Sequence, residues 1–528
     1  MKAYIATFLF ISIILSGPLR ADGNHQHFGE NNKEKLGQVN FPISCTQVAQ
    51  EQFNLAVAML HSFWYDEAEV TFRRVTAIDP TCAMGYWGIA MSLYHQLWAT
   101  PPAAAELLKG RDALYQTNNL TIKSKKEEAY LNAIKILYDD KADYEAKKLA
   151  YQHAMEKLWV QNPDDREAAV FFALALISNA SPKDKTYVNQ KKALEVLQKV
   201  LQDEPNHPGV AHYIIHSSDY PELAKFGLNA ARVYTHIAPG VPHALHMPSH
   251  IFIRLGQWQD AAQSNLAAYL AAKEYSRRNA IVRTWDQQFH FMDYMIYSYL
   301  QTGEADKARE IVQELQTIKK AQPENTTSAY AFAAIPARYA IERKEWLEAS
   351  ELTVTPRDFP WSQFGWCEAI THFARGLGAA KSKRMETAKI SLQRLETLRD
   401  VDIAAKKFYT ADQIEIQRLA VAAWIAYQEG KIIDALQLMR MSAELESGTE
   451  KDNVTPGAII PARQLLGELL LELQQYDEAL KELELSLIRT PNRRNGLYLA
   501  AQAAMLAGDQ SKANRFEMQY KQLKNVNN

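Results

Sequence analysis

The fold is decided by residues 465–491, LLGELLLELQQYDEALKELELSLIRTP. Apolar side chains recur at helical spacing through Leu473, polar Gln474-Gln475 interrupts them, and the pattern restarts at Tyr476. Pro491 closes the second run. Apolar stripes of this period, separated by a short break, predict two amphipathic helices packed as a hairpin. Ala479, small and three residues past Tyr476, lets the two helices approach closely.

Outward from this stretch the same punctuation returns. It reads Phe63-Trp-Tyr65-Asp-Glu-Ala68, Gly256-Gln-Trp258-Gln-Asp-Ala261, Lys344-Glu-Trp346-Leu-Glu-Ala349 and Gly430-Lys-Ile432-Ile-Asp-Ala435. Gly303 with Ala308, and Gly508 with Ala513, continue the series. The signature resembles the tetratricopeptide (TPR) repeat, with Leu465-Leu-Gly467, Tyr476, Ala479, Ser486 and Pro491 as its fullest copy. The resemblance implies an all-α superhelical α-solenoid of about eight to ten hairpins from residue 45 onward. The spacing departs from the family's period of about 34 residues: Ala261 to Ala308 spans 47 and Ala308 to Ala349 spans 41. Inserted loops are expected at 100–120, 180–190 and 448–460, the last joining a C-terminal repeat segment, 448–528, to the main array, 45–447.

The N-terminus reads as a signal peptide, residues 1–21, with Lys2 ahead of an almost wholly apolar run from 3 to 15. Residues 22–44 follow as a polar leader expected to be disordered. A periplasmic or secreted location follows, with no membrane span once the signal is removed. There are three cysteines, and in an exported chain Cys45 and Cys82 are the natural disulfide pair, leaving Cys367 free. The formal net charge is -2, from 59 basic and 61 acidic residues, which gives no support to nucleic-acid or anionic-membrane binding. No phosphate-binding glycine loop and no serine or cysteine nucleophile motif is present.

Chemistry concentrates in one region. His243-Ala-Leu-His246-Met-Pro-Ser-His250 places three of 14 histidines within eight residues, on one helical face. His212 and His216 lie upstream at i, i+4, and His290 and Asp293 downstream at i, i+3. With the repeat frame set by Ala261, Ala308 and Pro205, these residues fall at positions 2, 5 and 9, which in tetratricopeptide proteins face the concave groove. Tyr297 and Arg338 fall at position 9 of their repeats. Pro248 is expected to kink its helix or delay its start. Residues 243–252, HALHMPSHIF, also resemble a stretch found in a group of bacterial exported proteins of this type, a resemblance that implies no activity.

Neutral imidazole is the commonest metal ligand among side chains. Three histidines with an open position is a catalytic zinc pattern, and Asp293 would complete a closed site. The expectation is therefore a divalent metal ion, zinc foremost, held by His212, His216, His243, His246, His250, His290 and Asp293, with affinity falling below pH about 6.5. The leading reading is an exported scaffold that binds a protein or peptide in a groove carrying this metal. A metal-dependent hydrolase is one alternative, although His212-Tyr-Ile-Ile-His216 lacks the glutamate of the HExxH motif. A metal-free adaptor, with Arg254, Arg338 and protonated histidines binding carboxylates, is the other. Because solenoid repeats contact mainly their neighbours, truncation after residue 450 is expected to spare the site.

Overall fold

The computed structural model describes residues 35–95 and 102–525. The expected signal peptide and residues 22–34 of the leader lie outside this range. Residues 35–44 do not behave as a disordered leader. Leu36 and Phe41 are buried, and the Phe41 ring meets Phe53 and Trp87 edge-on, with centroids 5.3 and 5.8 Å apart. Two large apolar side chains within a polar stretch are enough to anchor it on the first repeats.

The chain is all-α, a solenoid of helical hairpins. Among the described residues there are 25 α-helices, of which Pro242–His246 and Pro248–Arg254 are the halves of one kinked helix; the rest pair with it into twelve hairpins. Two more exist than the upper expectation. One arises because the supposed loop at 100–120 contains the helix Ala104–Gln116. Another, Gly365–Lys381 with Met385–Ala404, carries the turn signature ending in Ala388, which the sequence reading passed over. The only paired strands among the described residues are Thr284–Trp285 and Ala321–Gln322.

The recurrent turn has one physical basis. Five residues before each packing alanine the backbone is left-handed, with φ of +53° at Phe63, +67° at Gly256, +82° at Gly303, +58° at Lys344 and +60° at Gln474. This conformation ends the first helix and reverses the chain. The alanines that follow, Ala68, Ala261, Ala308, Ala349 and Ala479, are wholly buried against the opposite helix. Gly256 has a second reason to be glycine, because a Cβ there would lie 2.4 Å from the Pro491 carbonyl oxygen.

That contact shows how the array is closed. The superhelix brings the last repeats back onto the middle ones. Trp258 Nε1 donates to the Asn492 carbonyl at 2.8 Å, and the Arg494 amide donates to Gln301 Oε1 at 2.9 Å. Arg493, fully buried, donates to Tyr297 Oη at 2.8 Å and pairs with Glu342. Two apolar cores result, one running from Leu36 to Tyr297 and the other from Ala262 to Phe516. They meet along the helix Asp286–Thr302, which supplies Tyr294 and Tyr297 to the first and Phe289, Phe291 and Met292 to the second. Cys45 and Cys82, each just ahead of a helix of the first two hairpins, form a disulfide with Cα atoms 5.2 Å apart. Cys367 is a free, buried thiol.

The start of that central helix buries a carboxyl. Asp286 is buried, and burial pushes its carboxyl up to about 7, opposed by the Asn325 amide that donates to it at 2.7 Å. A carboxyl raised in the folded state favours folding fully at pH below its unfolded value and loses that contribution as pH rises to the folded one. We therefore expect Asp286→Asn to stabilise the chain relative to wild type as pH goes from about 4 to about 8. The gain should be several kcal/mol at most, at roughly 1.4 kcal/mol per unit. Urea midpoints of both chains across this range check it; parallel profiles would refute it.

Candidate metal centre

The six histidines gather at the seam between the two cores, as two triads. His212, His216 and His243 form one, and His246, His250 and His290 the other; within each, one ligand atom per ring lies within 4.8 Å of the others. The kinked helix is what distributes them. Pro248 has no amide to donate to the Ala244 carbonyl, so the helix breaks at Met247. Its first half, Pro242–His246, supplies His243 to one triad and His246 to the other, and its second half supplies His250. The helix begins at Pro242, so His243 lies in its first turn and not in the preceding loop. Pro336, by contrast, stays within the helix Thr326–Glu342.

Hydrogen bonds set the tautomers. His212 Nδ1 lies 2.6 Å from the His61 carbonyl oxygen, which can only accept, so Nδ1 carries the proton and Nε2 a lone pair. His216 Nε2 sits 3.1 Å from that lone pair, and its own Nδ1 has no partner. In the second triad both partners are fixed. His246 Nδ1 donates to Asn265 Oδ1 at 2.6 Å, and the Asn265 amide is oriented by its bond to the Ala261 carbonyl at 2.7 Å. His250 Nδ1 donates to Asp219 Oδ2 at 2.8 Å. The neutral rings therefore turn two lone pairs, His246 Nε2 and His250 Nε2, toward each other at 3.0 Å. Two nitrogens bound to one ion at about 2.0–2.1 Å each are separated by a comparable distance. An imidazole whose second nitrogen donates to a carboxylate or carbonyl is the usual support of a metal ligand.

A third group of possible ligands shows the contrast. His61 Nε2 and His207 Nε2 lie 2.8 and 3.0 Å from the two oxygens of Glu167, and His207 Nδ1 accepts from the Val210 amide at 3.2 Å. His61 Nδ1 meets Tyr213 Oη at 3.0 Å. Every ring nitrogen is satisfied, and His207 must keep its Nε2 proton because its Nδ1 is an acceptor. Burial would raise the Glu167 carboxyl, but the two imidazoles hold it down, to about 2. This group is a hydrogen-bonded strut; the His61 carbonyl then orients His212.

The groove is not open at the histidines. His212, His216, His246 and His250 are at most 2% exposed, and His243 and His290 are 8% exposed. The segment 449–461 lies along the concave side. Lys451 Nζ donates to Asp219 Oδ2 at 2.6 Å, and Tyr294 Oη donates to the Thr455 carbonyl at 3.0 Å. This corrects two expectations. The site is not separable from residues beyond 450, because the curled superhelix makes them its neighbours. The histidines are core residues, so replacing them also removes packing.

The other expected site residues are engaged elsewhere. Asp293 lies outside both triads: its Oδ1 accepts from Arg338 Nε at 3.0 Å, and burial raises its carboxyl against the pull of that arginine. Arg338 also donates to the carbonyls of Gly457 at 2.7 Å and Ala458 at 2.8 Å, and lies over the Tyr297 ring. Arg254 Nε donates to Asp219 Oδ1 at 2.9 Å. The arginines thus brace the segment and the carboxylate behind His250. Sequence reading missed Asp219, Asn265 and Lys451. Asp219 was within reach of it, at i+3 from His216; Lys451 was not, because nothing local ties it to the site.

Burial, aided by the neighbouring imidazoles, pushes His212, His216, His246 and His290 well below the ordinary histidine value, and His243 down to about 3. The rings are neutral at lower pH than the reference value of about 6.5 would allow. Burial would raise Asp219, but Lys451, Arg254 and His250 hold it well below the carboxylate range. The carboxylate stays ionised behind its imidazole.

No protein-family model matches the chain, and comparison with curated proteins finds no match. Solved helical-repeat structures align over most of its length at low identity. The human IFIT1 dimer with PPP-AAAA is 10% identical over 91% of each chain, with a TM-score of 0.36. The Cut9–Hcn1 hetero-tetramer is 12% identical over 90% of this chain and 87% of that one, with a TM-score of 0.32. The P58(IPK) TPR domain is 13% identical over 88% and 99%, with a TM-score of 0.23. At these scores the likeness carries no argument about this chain.

Proposed function

We propose that the chain is an exported metal-binding solenoid protein, whose repeats hold a metal ion in each histidine triad. One observation carries this reading: His246 Nε2 and His250 Nε2 face each other at 3.0 Å while both Nδ1 atoms are committed as donors. Two buried lone pairs in contact need a cation between them. A shared proton would have to sit on rings whose burial disfavours the charged form. An ion bound by three imidazoles meets the same need with stronger bonds. Imidazole suits zinc, copper, iron and nickel.

Export is supported by the apolar run near the N-terminus and by the Cys45–Cys82 bridge, since such bridges persist in oxidising compartments. A protein or peptide partner would dock beside the segment 449–461, where a cavity of about 130 Å³ is lined by Tyr330, Trp366 and Tyr409. Asp293, expected to complete a closed metal site, is paired with Arg338. Metal analysis of the purified mature chain, dialysed at neutral pH, tests the proposal. Two ions per chain are expected. Uptake of none of zinc, copper, nickel, manganese or iron would overturn it and leave the histidines as hydrogen-bonding struts.

A further inference from the structure

We infer that the two triads form one two-copper centre that binds dioxygen between its ions, an inference that rests on the metal-binding reading above. The triads are built alike. Each takes a pair four residues apart, His212 with His216 and His246 with His250, and one ring from another helix, His243 or His290. They also share a turn of helix, since His243 and His246 belong to Pro242–His246 yet serve different triads. Neighbours at this spacing have Cβ atoms about 5–6 Å apart. The rings of the two triads touch: His243 and His246 have centroids 5.8 Å apart, as do His216 and His250. Two ions held here are adjacent.

The choice of metal follows from charge. All six ligands are neutral imidazoles, with no thiolate or carboxylate in either triad. Asp219 stands behind His250 but is paired with Arg254 and Lys451, and Glu450, which Arg254 also faces, is paired with Lys185 and Arg489. Asp293 is matched by Arg338. A pair of divalent ions would place four positive charges, without a ligand anion, where burial is nearly complete; uncompensated charge in such a site is costly. Copper(I) halves that charge, and copper is among the metals imidazole suits. Three nitrogens leave one face of each ion open.

Dioxygen suits such a site. It is small and uncharged, and the apolar or aromatic rings of Phe63, Phe291 and Tyr294 lie against the histidines. Each copper(I) gives it one electron, so two copper(I) and one dioxygen become two copper(II) and one bridging peroxide. No proton moves, and the net charge of the unit stays at two positive. The peroxide supplies the anion that the protein does not.

The test uses the full mature chain, loaded with copper(I) without oxygen, desalted, counted for copper and then exposed to oxygen. Two coppers per chain are expected, followed by an intense near-ultraviolet charge-transfer band and little or no electron paramagnetic resonance signal, because bridged copper(II) spins pair. His216→Gln and, separately, His290→Gln should each hold one copper, give no band and show a copper(II) signal once oxidised chemically. Two coppers that oxidise to a full paramagnetic signal would mean independent sites, overturning this inference while sparing the metal-binding reading. Two zinc ions that displace copper when both are offered would overturn the choice of metal alone. A chain that takes up neither would overturn both.

Discussion

A chain ending at residue 450 is expected to lose its bound metal and much of its central helical structure. The cut removes Lys451 from Asp219, and the Thr455 carbonyl from Tyr294. It strips Arg338 of the Gly457 and Ala458 carbonyls, and removes Arg493 from buried Glu342. Leaving a buried charge without its partner costs about 3–5 kcal/mol. Glu342 suffers that loss outright, whereas Asp219 keeps Arg254 and Arg338 keeps Asp293; even one such loss is a large share of an ordinary domain's stability, about 5–15 kcal/mol. The truncation also uncovers Trp258 and Tyr297, which pack under the last repeats. Helicity by circular dichroism, together with metal content, decides the matter. A truncated chain that melts cooperatively near wild type and keeps both ions would show the segment to be a mere cover.

The second large effect is expected at Asp219. Asp219→Asn keeps the size of the side chain but removes the charge that orders His250, and its amide can turn a donor toward Nδ1. The ring then has reason to adopt the other tautomer, with its proton where the lone pair should be. Substituting such a supporting partner typically costs about 10–100-fold in metal affinity. The loss should fall on the triad of His246, His250 and His290, and leave the triad of His212, His216 and His243 with its ion. His250→Gln, which removes the ligand itself, should abolish one ion and spare the other. Competition titrations against a chelator measure both. Equal weakening of the two sites by Asp219→Asn would mean that the carboxylate supports the fold more than the ligand. Unchanged affinity would mean that His250 Nε2 binds no metal.

The fold was legible because its determinants are local. A left-handed residue, an aromatic or aliphatic side chain and a buried alanine recur at fixed offsets, and each specifies a hairpin without reference to the rest of the chain. The same frame places the six histidines on corresponding faces of successive helices, because position within a repeat is set by local sequence. Where a determinant was weak, as in the helix Ala104–Gln116, the reading lost a hairpin. The role of Asp293 was misjudged because its competitor, Arg338, lies 45 residues away in sequence.

By itself, then, the sequence determined an all-α array of hairpins and a histidine-rich face within it. Only the tertiary structure decided that this face is buried, that its rings divide into two triads, and which nitrogen each ring presents. Those facts depend on the curvature accumulated over twelve hairpins. That curvature carries Lys451 back to Asp219, 232 residues earlier, and sets the His61 carbonyl against His212, 151 residues later. Helical periodicity fixes a side chain's direction within its own repeat; it holds no record of which distant repeat will meet it.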